Sequence, residues 1–486
     1  MKTITKLFAV IFSLALIASL CACGRTTDNE SANEPTLTGS VSEQATTSST
    51  TEESRTTETT AADETTAKTT ETTATETTTA DETTATSTSN ADYTVDTTTV
   101  AVKDTSGNTI SSGSASVSFS GTTKTINAAY LIDGVDVEIT SGAYTSESGS
   151  SDQVVFLVVN GGSLTIKGSD STYICINKTG SAASKGQVDD NYNFYGINSG
   201  IVVAGSKSSA TIENAFISTA ANGSNAVVAT ANAAISISDS VITTTGSAGS
   251  RGLHATYGGT INAENVDITT QGSSCATLAT DRGGGTINAS NMTLETNSAG
   301  SPLVYSTGTI NVSDSTGTAN AAQMVVVEGG SSANVTSCDF SCSGNGNRTG
   351  TSESNSSSHV IDAGGIFIYQ SFSGDASDGT DYFTATDSTF TVTTAGVPMF
   401  YITNITAQIT LNGNTFNSAS DSDYLFITEE TNQWGTVGKN GGKATVSLTN
   451  QDLSGEKAFV GSSSSSLTIT ATDSSSTSIS KTTGTW

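Results

Sequence analysis

The 486-residue chain holds 46 acidic against 18 basic residues, a net charge of −28 at pH 7. That balance argues against nucleic acid or anionic lipid as a partner of the folded part and suits neutral or cationic ligands. Six cysteines without a CxxC, and two histidines far apart in sequence, argue against a zinc site.

The chain opens on an export signal. Lys2 and Lys6 precede an apolar run at residues 7–20, LFAVIFSLALIASL, too short for an ordinary membrane span. The string Leu20-Cys21-Ala22-Cys23-Gly24 resembles a bacterial lipobox. That resemblance implies a lipoprotein signal peptide over 1–22, cleavage before Cys23 and lipidation of the Cys23 thiol. Residues 23–92 are a different material, rich in Thr, Ala and Glu with scarcely a large apolar side chain. Such a segment cannot bury enough surface to offset its ordering entropy, so a disordered linker is expected there. As a coil it would span roughly 45 Å, enough to hold the folded part off a membrane. Its 14 acids and 3 bases, with the two lysines of the signal, leave −19 from Tyr93 onward.

From residue 93 to 486 the chain repeats. GGTINAENVDITT at 258–270 returns as GGTINASNMTLET at 284–296. The equivalent apolar position falls at Ile212, Ile235, Ile261, Ile287, Ile310, Val335, Phe383 and Ile409. The intervals are 23, 26, 26, 23, 25, 48 and 26, with 48 read as two steps of 24. Each repeat carries an apolar run, a Gly- or Ser-rich corner, a TIN-like strand, an Asn or Ser corner and a third alternating strand. Gly, Asn and Ser accept the backbone angles of tight corners, and β-branched and aromatic residues suit strands. Three short strands in about 25 residues make one coil of a parallel β-helix, a solenoid stable only when coils stack. The expected fold is therefore all-β, a right-handed parallel β-helix. At strand spacing, room for roughly 15 coils gives a rod on the order of 70 Å. Only 3 prolines are present, which suits continuous ladders. A propeller would repeat at 40 residues or more, and a string of immunoglobulin-like sandwiches would lack this period.

Two stretches break the rhythm: DDNYNFY at 189–195, and the polar insertion SGNGNRTGTSESNSSSH at 343–359. Cys175, Cys275, Cys338 and Cys342 are expected as buried thiols. The strings HATYGGTI, ATDRGGGTI, VYSTGTI, VVEGG, IYQSFSGDA and FYITN lie between His254 and Asn404. On these the chain resembles a pectin-lyase-like, right-handed β-helix, and more closely surface proteins of gut-dwelling Gram-positive bacteria. The resemblance covers about residues 200–455 and implies fold and location more than activity.

Aligning the coils stacks one strip of larger side chains among Ser, Thr, Ala and Gly. It comprises Tyr257, Asp281, Arg282, Tyr305, Glu328, Tyr369, Gln370 and Tyr401. Tyrosine faces stack on sugar rings, while carboxylates and amides take hydroxyls; an outward polar ladder shielding the coil edge is the competing reading. For catalysis, Asp281 and Glu328 would stand about 10 Å apart, at the edge of the inverting glycosidase range. A lyase would also need a second base in register, which is missing. No cofactor is expected. Asp375, Asp378 and Asp381 offer oxygen ligands three apart, a weak calcium candidate without the EF-hand pattern. The expectation is a lipid-anchored surface protein that binds glycans or other cell-surface macromolecules without catalysis. A polysaccharide lyase or hydrolase working along the strip is the alternative.

Overall fold

The computed structural model describes residues 93–147, 149–179, 189–346, 348–371, 376–433, 440–473 and 475–484. The signal segment, Cys23, the linker and Asp375 lie outside the described residues.

The 25-residue units fold as a stack of β-coils. Each contributes a short strand to a first sheet and two further strands, or one bent strand, to a second and a third sheet. The repeat that first betrays the period shows the register: Thr260, Ile261, Asn262 and Ala263 lie in parallel on Thr286, Ile287, Asn288 and Ala289. Inward positions build one continuous core. Ile261, Ile287 and Ile310 form a ladder with no exposed surface, and each such isoleucine is worth about 2–5 kcal/mol against alanine.

Between the second and third sheets the chain turns on one residue per coil with positive φ. The series runs Asn214, Asp239, Asn265, Asn291, Asp314, Ser337, Asp387, Gly413, Asn450 and Asp473. Asn and Asp tolerate the left-handed conformation because their short polar side chains bond locally. The corners also bond to each other, with Asn265 donating to Asp239 at 2.6 Å and Asn291 to Asn265 at 3.3 Å. In strand Gly259–Thr270 this single residue, Asn265, bends the strand from one sheet into the next.

Four expectations need correction. Ala333 pairs directly with Phe383, so the 48-residue interval is one coil, its extra length spent in an insertion between Cys342 and Ile366. Ile212 stacks on Ile237 rather than Ile235, and Val335 on Val312 rather than Ile310. Both are slips of two residues, which keep the same side chains inward. The first sheet has fourteen described strands, of which Gly113–Phe119 is antiparallel to Thr122–Asp133. The thirteen parallel strands stack to about 58 Å, shorter than expected, because insertions and this hairpin consume chain. Cys275, Cys338 and Cys342 are buried free thiols, while Cys175 is half-buried.

The outward face of the first sheet departs from a plain solenoid. Strands Val325–Glu328, Ile366–Tyr369, Phe400–Thr403 and Phe426–Glu429 are buried at every position. Two coverings account for this. At one end lie the Gly113–Phe119 hairpin and the excursion after the short helix Asp190–Asn193. They bring Val117, Phe119, Phe194, Tyr195 and Ile197 onto Val202, Ala204 and Val228. Toward the other end residues 348–362 cross as a strap, pinned by a two-residue antiparallel pairing of Thr349–Gly350 with His359–Val360.

Candidate functional site

Of the predicted strip, Tyr305, Glu328, Tyr369 and Tyr401 lie on the outward face of the first sheet. Register separates it into two ladders. Tyr305, Val326, Phe367, Tyr401 and Ile427 follow one another in the first. Glu328, Tyr369, Thr403 and Glu429 form the second. Asp281 stands one residue beyond strand Leu278–Thr280, and Gln370 one beyond Ile366–Tyr369.

Most of the strip is turned to internal bonding. Tyr401 has no exposed surface, Glu328 1%, Gln370 2%, Asp281 3% and Tyr369 6%. Glu328 accepts from three hydroxyls: Tyr305 at 2.5 Å and Tyr369 at 2.8 Å on one oxygen, and Ser371 on the other. Burial, with the Glu328 charge, holds the Tyr305 and Tyr369 phenols well above the usual tyrosine range. Tyr401 donates to Glu429, which also receives Ser354 at 2.8 Å and faces the His359 ring at 3.3 Å. Gln370 donates to the Ser377 carbonyl and to Asp378, each at 3.3 Å.

Asp281 is the anchor of a second buried group. Its carboxylate lies 3.2 Å from the Arg251 guanidinium and 3.9 Å from the His254 ring, and it accepts the Arg282 amide at 3.0 Å. Arg251 also donates to Asn193 at 2.8 Å. Burial and the neighbouring Arg251 push His254 far below the usual imidazole range, so the ring is neutral. Sequence reasoning missed Arg251, because its significance depends on Asn193, 58 residues away in the excursion.

Two strip residues keep access to solvent beside the first covering. The half-buried Arg282 lies with its guanidinium 3.9 Å from the centre of the Phe194 ring and 3.6 Å from Asp190. Tyr257, at φ +47° in the turn after Leu253–Ala255, stacks on Tyr195 at 5.7 Å and tilts against Phe119 at 5.0 Å. The Tyr257 position opens on a groove of about 770 Å³ between the hairpin and the stacked turns of the first coils. Phe119 and Tyr257 form its aromatic side, and Asn160, Lys207 and Asn232 stand exposed around it. Gly283 closes on the Tyr257 ring; a Cβ there would come within 2.7 Å of it.

A second groove, of about 640 Å³, follows the outer face of the second sheet. Its floor is an asparagine ladder. Asn288 donates to Asn262 at 2.8 Å, and Asn311 to Asn288 and Asn334 to Asn311 at 2.7 Å. These amides bond along the stack, which leaves them less free for a ligand.

Of the calcium candidates, Asp381 is fully buried. It accepts the Ser331 amide at 3.1 Å, and burial lifts its carboxyl to about 8. Among the described residues no three His, Cys, Asp or Glu side chains are grouped to hold a metal ion. No helix among them is long and apolar enough to cross a membrane.

Compared with protein-family models, curated proteins and solved structures, the chain shows no match.

Proposed function

We propose that this chain is a lipid-anchored, right-handed β-helix of the bacterial cell surface that binds glycans without cleaving them. The observation that carries the reading is the groove beside Tyr257. It offers an aromatic wall for a sugar face, exposed amides and serine hydroxyls for its hydroxyl groups, and Lys207 for an acidic substituent. The right hand follows from the near-universal sense of crossover between parallel strands of one sheet. Lipidation at Cys23 and the Thr/Glu linker would set the rod at a distance from the membrane.

The test is a glycan array probed with the full chain, followed by calorimetry on any hit. Tyr257→Ala is expected to abolish binding and Lys207→Ala to weaken it. Tyr401→Phe, under the strap, should leave binding unchanged. A wild-type chain that binds no glycan sinks the proposal.

Polysaccharide cleavage is the second reading, favoured by the separation of Asp281 and Glu328, two coils or about 10 Å apart. Both carboxylates are buried and bonded by the protein's own donors, which supports binding over turnover. Release of reducing or unsaturated ends, lost in Asp281→Asn and Glu328→Gln, would reverse that preference.

A further inference from the structure

The coverings protect the first sheet, whereas the groove on the second sheet keeps its outward face open. That groove crosses six successive rungs, with Thr211, Ser236, Asn262, Asn288, Asn311 and Asn334 in parallel register. Five strand steps make it about 24 Å long. At the next rung Thr384 follows Asn334, and Tyr382 follows Ser332 on the same outward face. Tyr382 is 47% exposed, and no other described aromatic residue is exposed. It stands on the diagonal from Asn334, about 8 Å away along the backbone and within reach of its ring. The exposed aromatic side chain thus sits where the groove ends.

The asparagines of the floor fix one another. Asn288 and Asn311 each spend one N–H and one oxygen lone pair along the stack. Each keeps a second N–H and a second lone pair. The stack therefore presents donor and acceptor at every rung, on side chains whose rotamers a ligand need not freeze. Beside Asn288, Asn311 and Asn334 run Ser290, Ser313 and Thr336, so this half of the groove is lined by uncharged groups. Glu213 and Glu264 line the other half, with Lys167 already 3.4 Å from Glu213. Such a lining suits a neutral ligand, and the net −28 of the chain disfavours an anionic one.

We propose that this face binds a neutral, linear polysaccharide laid along the stack, with one sugar ring on Tyr382. The rung spacing of about 4.8 Å is close to the length of one pyranose in an extended β-1,4-linked chain, so ring follows ring in step with the amides. An extended peptide falls out of step, because it turns the same side to the surface only every second residue, about 6.7 Å. The free amide groups and the Ser and Thr hydroxyls take the sugar hydroxyls, and the phenol ring takes the apolar face of a sugar at the end of the groove. Six rungs set the preferred length at about six sugars. The site lies on a different sheet from the Tyr257 groove, whose Lys207 suits an acidic substituent. The two sites sort different glycans, and a neutral glycan still held by Tyr257→Ala marks this one.

The experiment is titration calorimetry of the full chain with β-1,4-linked hexamers of glucose, mannose and N-acetylglucosamine. The matching dimers and a hexamer of galacturonic acid are the controls. At least one neutral hexamer should bind, with its dimer and the galacturonate roughly ten-fold weaker or more. Tyr382→Ala should weaken that hexamer roughly ten-fold, the loss of one stacked ring. Asn288→Ala with Asn311→Ala should weaken it at least as much, and Tyr257→Ala should leave it unchanged. Should the asparagine changes disturb the stack, Tyr382→Ala at an exposed ring carries the test alone. No binding of any neutral hexamer, a hexamer held no tighter than its dimer or than galacturonate, or full binding by Tyr382→Ala overturns the proposal. Binding kept in Tyr382→Ala and lost in Tyr257→Ala overturns it while leaving the reading of the Tyr257 groove standing.

Discussion

Whether the strip of tyrosines and carboxylates is an internal brace or an open platform can be decided by a two-residue cycle at Glu328. Tyr305 and Tyr369 both donate to the same carboxylate oxygen, at 2.5 and 2.8 Å. A hydrogen bond to a buried charge contributes about 1.5–3 kcal/mol. Removing either hydroxyl leaves the other tyrosine bonded to the oxygen, so Tyr305→Phe and Tyr369→Phe should each cost at the low end, about 1.5 kcal/mol. Removing both leaves the oxygen with neither tyrosine donor and adds a desolvation penalty of about 2 kcal/mol, for a total near 5. With an unfolding entropy of about 2.1 cal/mol/K per residue, a domain this size loses roughly 1.2 °C per kcal/mol. Scanning calorimetry should then show drops of about 2 °C for each single variant and about 6 °C for the double. Strict additivity, or an unchanged Tm in the double variant, would refute the reasoning, since it would mean that Glu328 does not rely on these phenols.

Three further outcomes follow from the same geometry. Asp281→Asn strands the Arg251 guanidinium in a buried site and should cost about 3–5 kcal/mol, whereas Asp281→Leu with Arg251→Met should cost less than the single change; thermal unfolding of the three proteins checks the order. The pair His359–Glu429 raises the histidine above its unfolded value near 6.5, so its contribution is complete below pH ~6.5 and fades as pH rises through the folded value. Proteolytic cutting within 348–362 should accordingly increase from pH ~6.5 upward, and His359→Gln should flatten that dependence. Burial lifts the thiols of Cys275 and Cys338 to about 11 and Cys342 to about 12. Peptide mapping after maleimide treatment of the native protein at pH 8 should therefore find Cys175 labelled and these three untouched.

The repeat carried the fold because a coil imposes one requirement again and again. An inward Ile at 261 and 287 and an Asn at 265 and 291 answer the same packing and the same left-handed corner. Register errors at Ile212 and Val335 arose because the pattern has period two within a strand, so a slip of two residues satisfies it equally. The insertion at 343–359 was visible as a break, yet its length was absorbed into a second imaginary coil. The strip residues were legible as a set, since large polar side chains are rare in this chain. Their burial was not, because the covering comes from segments far away in sequence: Asn193 meets Arg251 across 58 residues and Ser354 meets Glu429 across 75. Lone His359 in that insertion was the one sequence signal of the strap's contact with Glu429.

A stack of repeats usually unfolds as a chain of nearest neighbours, each junction carrying its own stability. The two coverings change that statistics here. The hairpin and the excursion bind together the first-sheet strands from Thr122–Asp133 to Leu253–Ala255. The strap ties Val325–Glu328 through to Lys457–Val460, reaching Ser463 just beyond. Leu278–Thr280 is tied to the first clamp through Asp281 and Arg282, and Val304–Ser306 to the second through Tyr305. The weaker junction therefore falls between these two strands, where opening under load or in hydrogen exchange should begin. Under load, such a junction decides where extension starts and leaves both clamped parts intact.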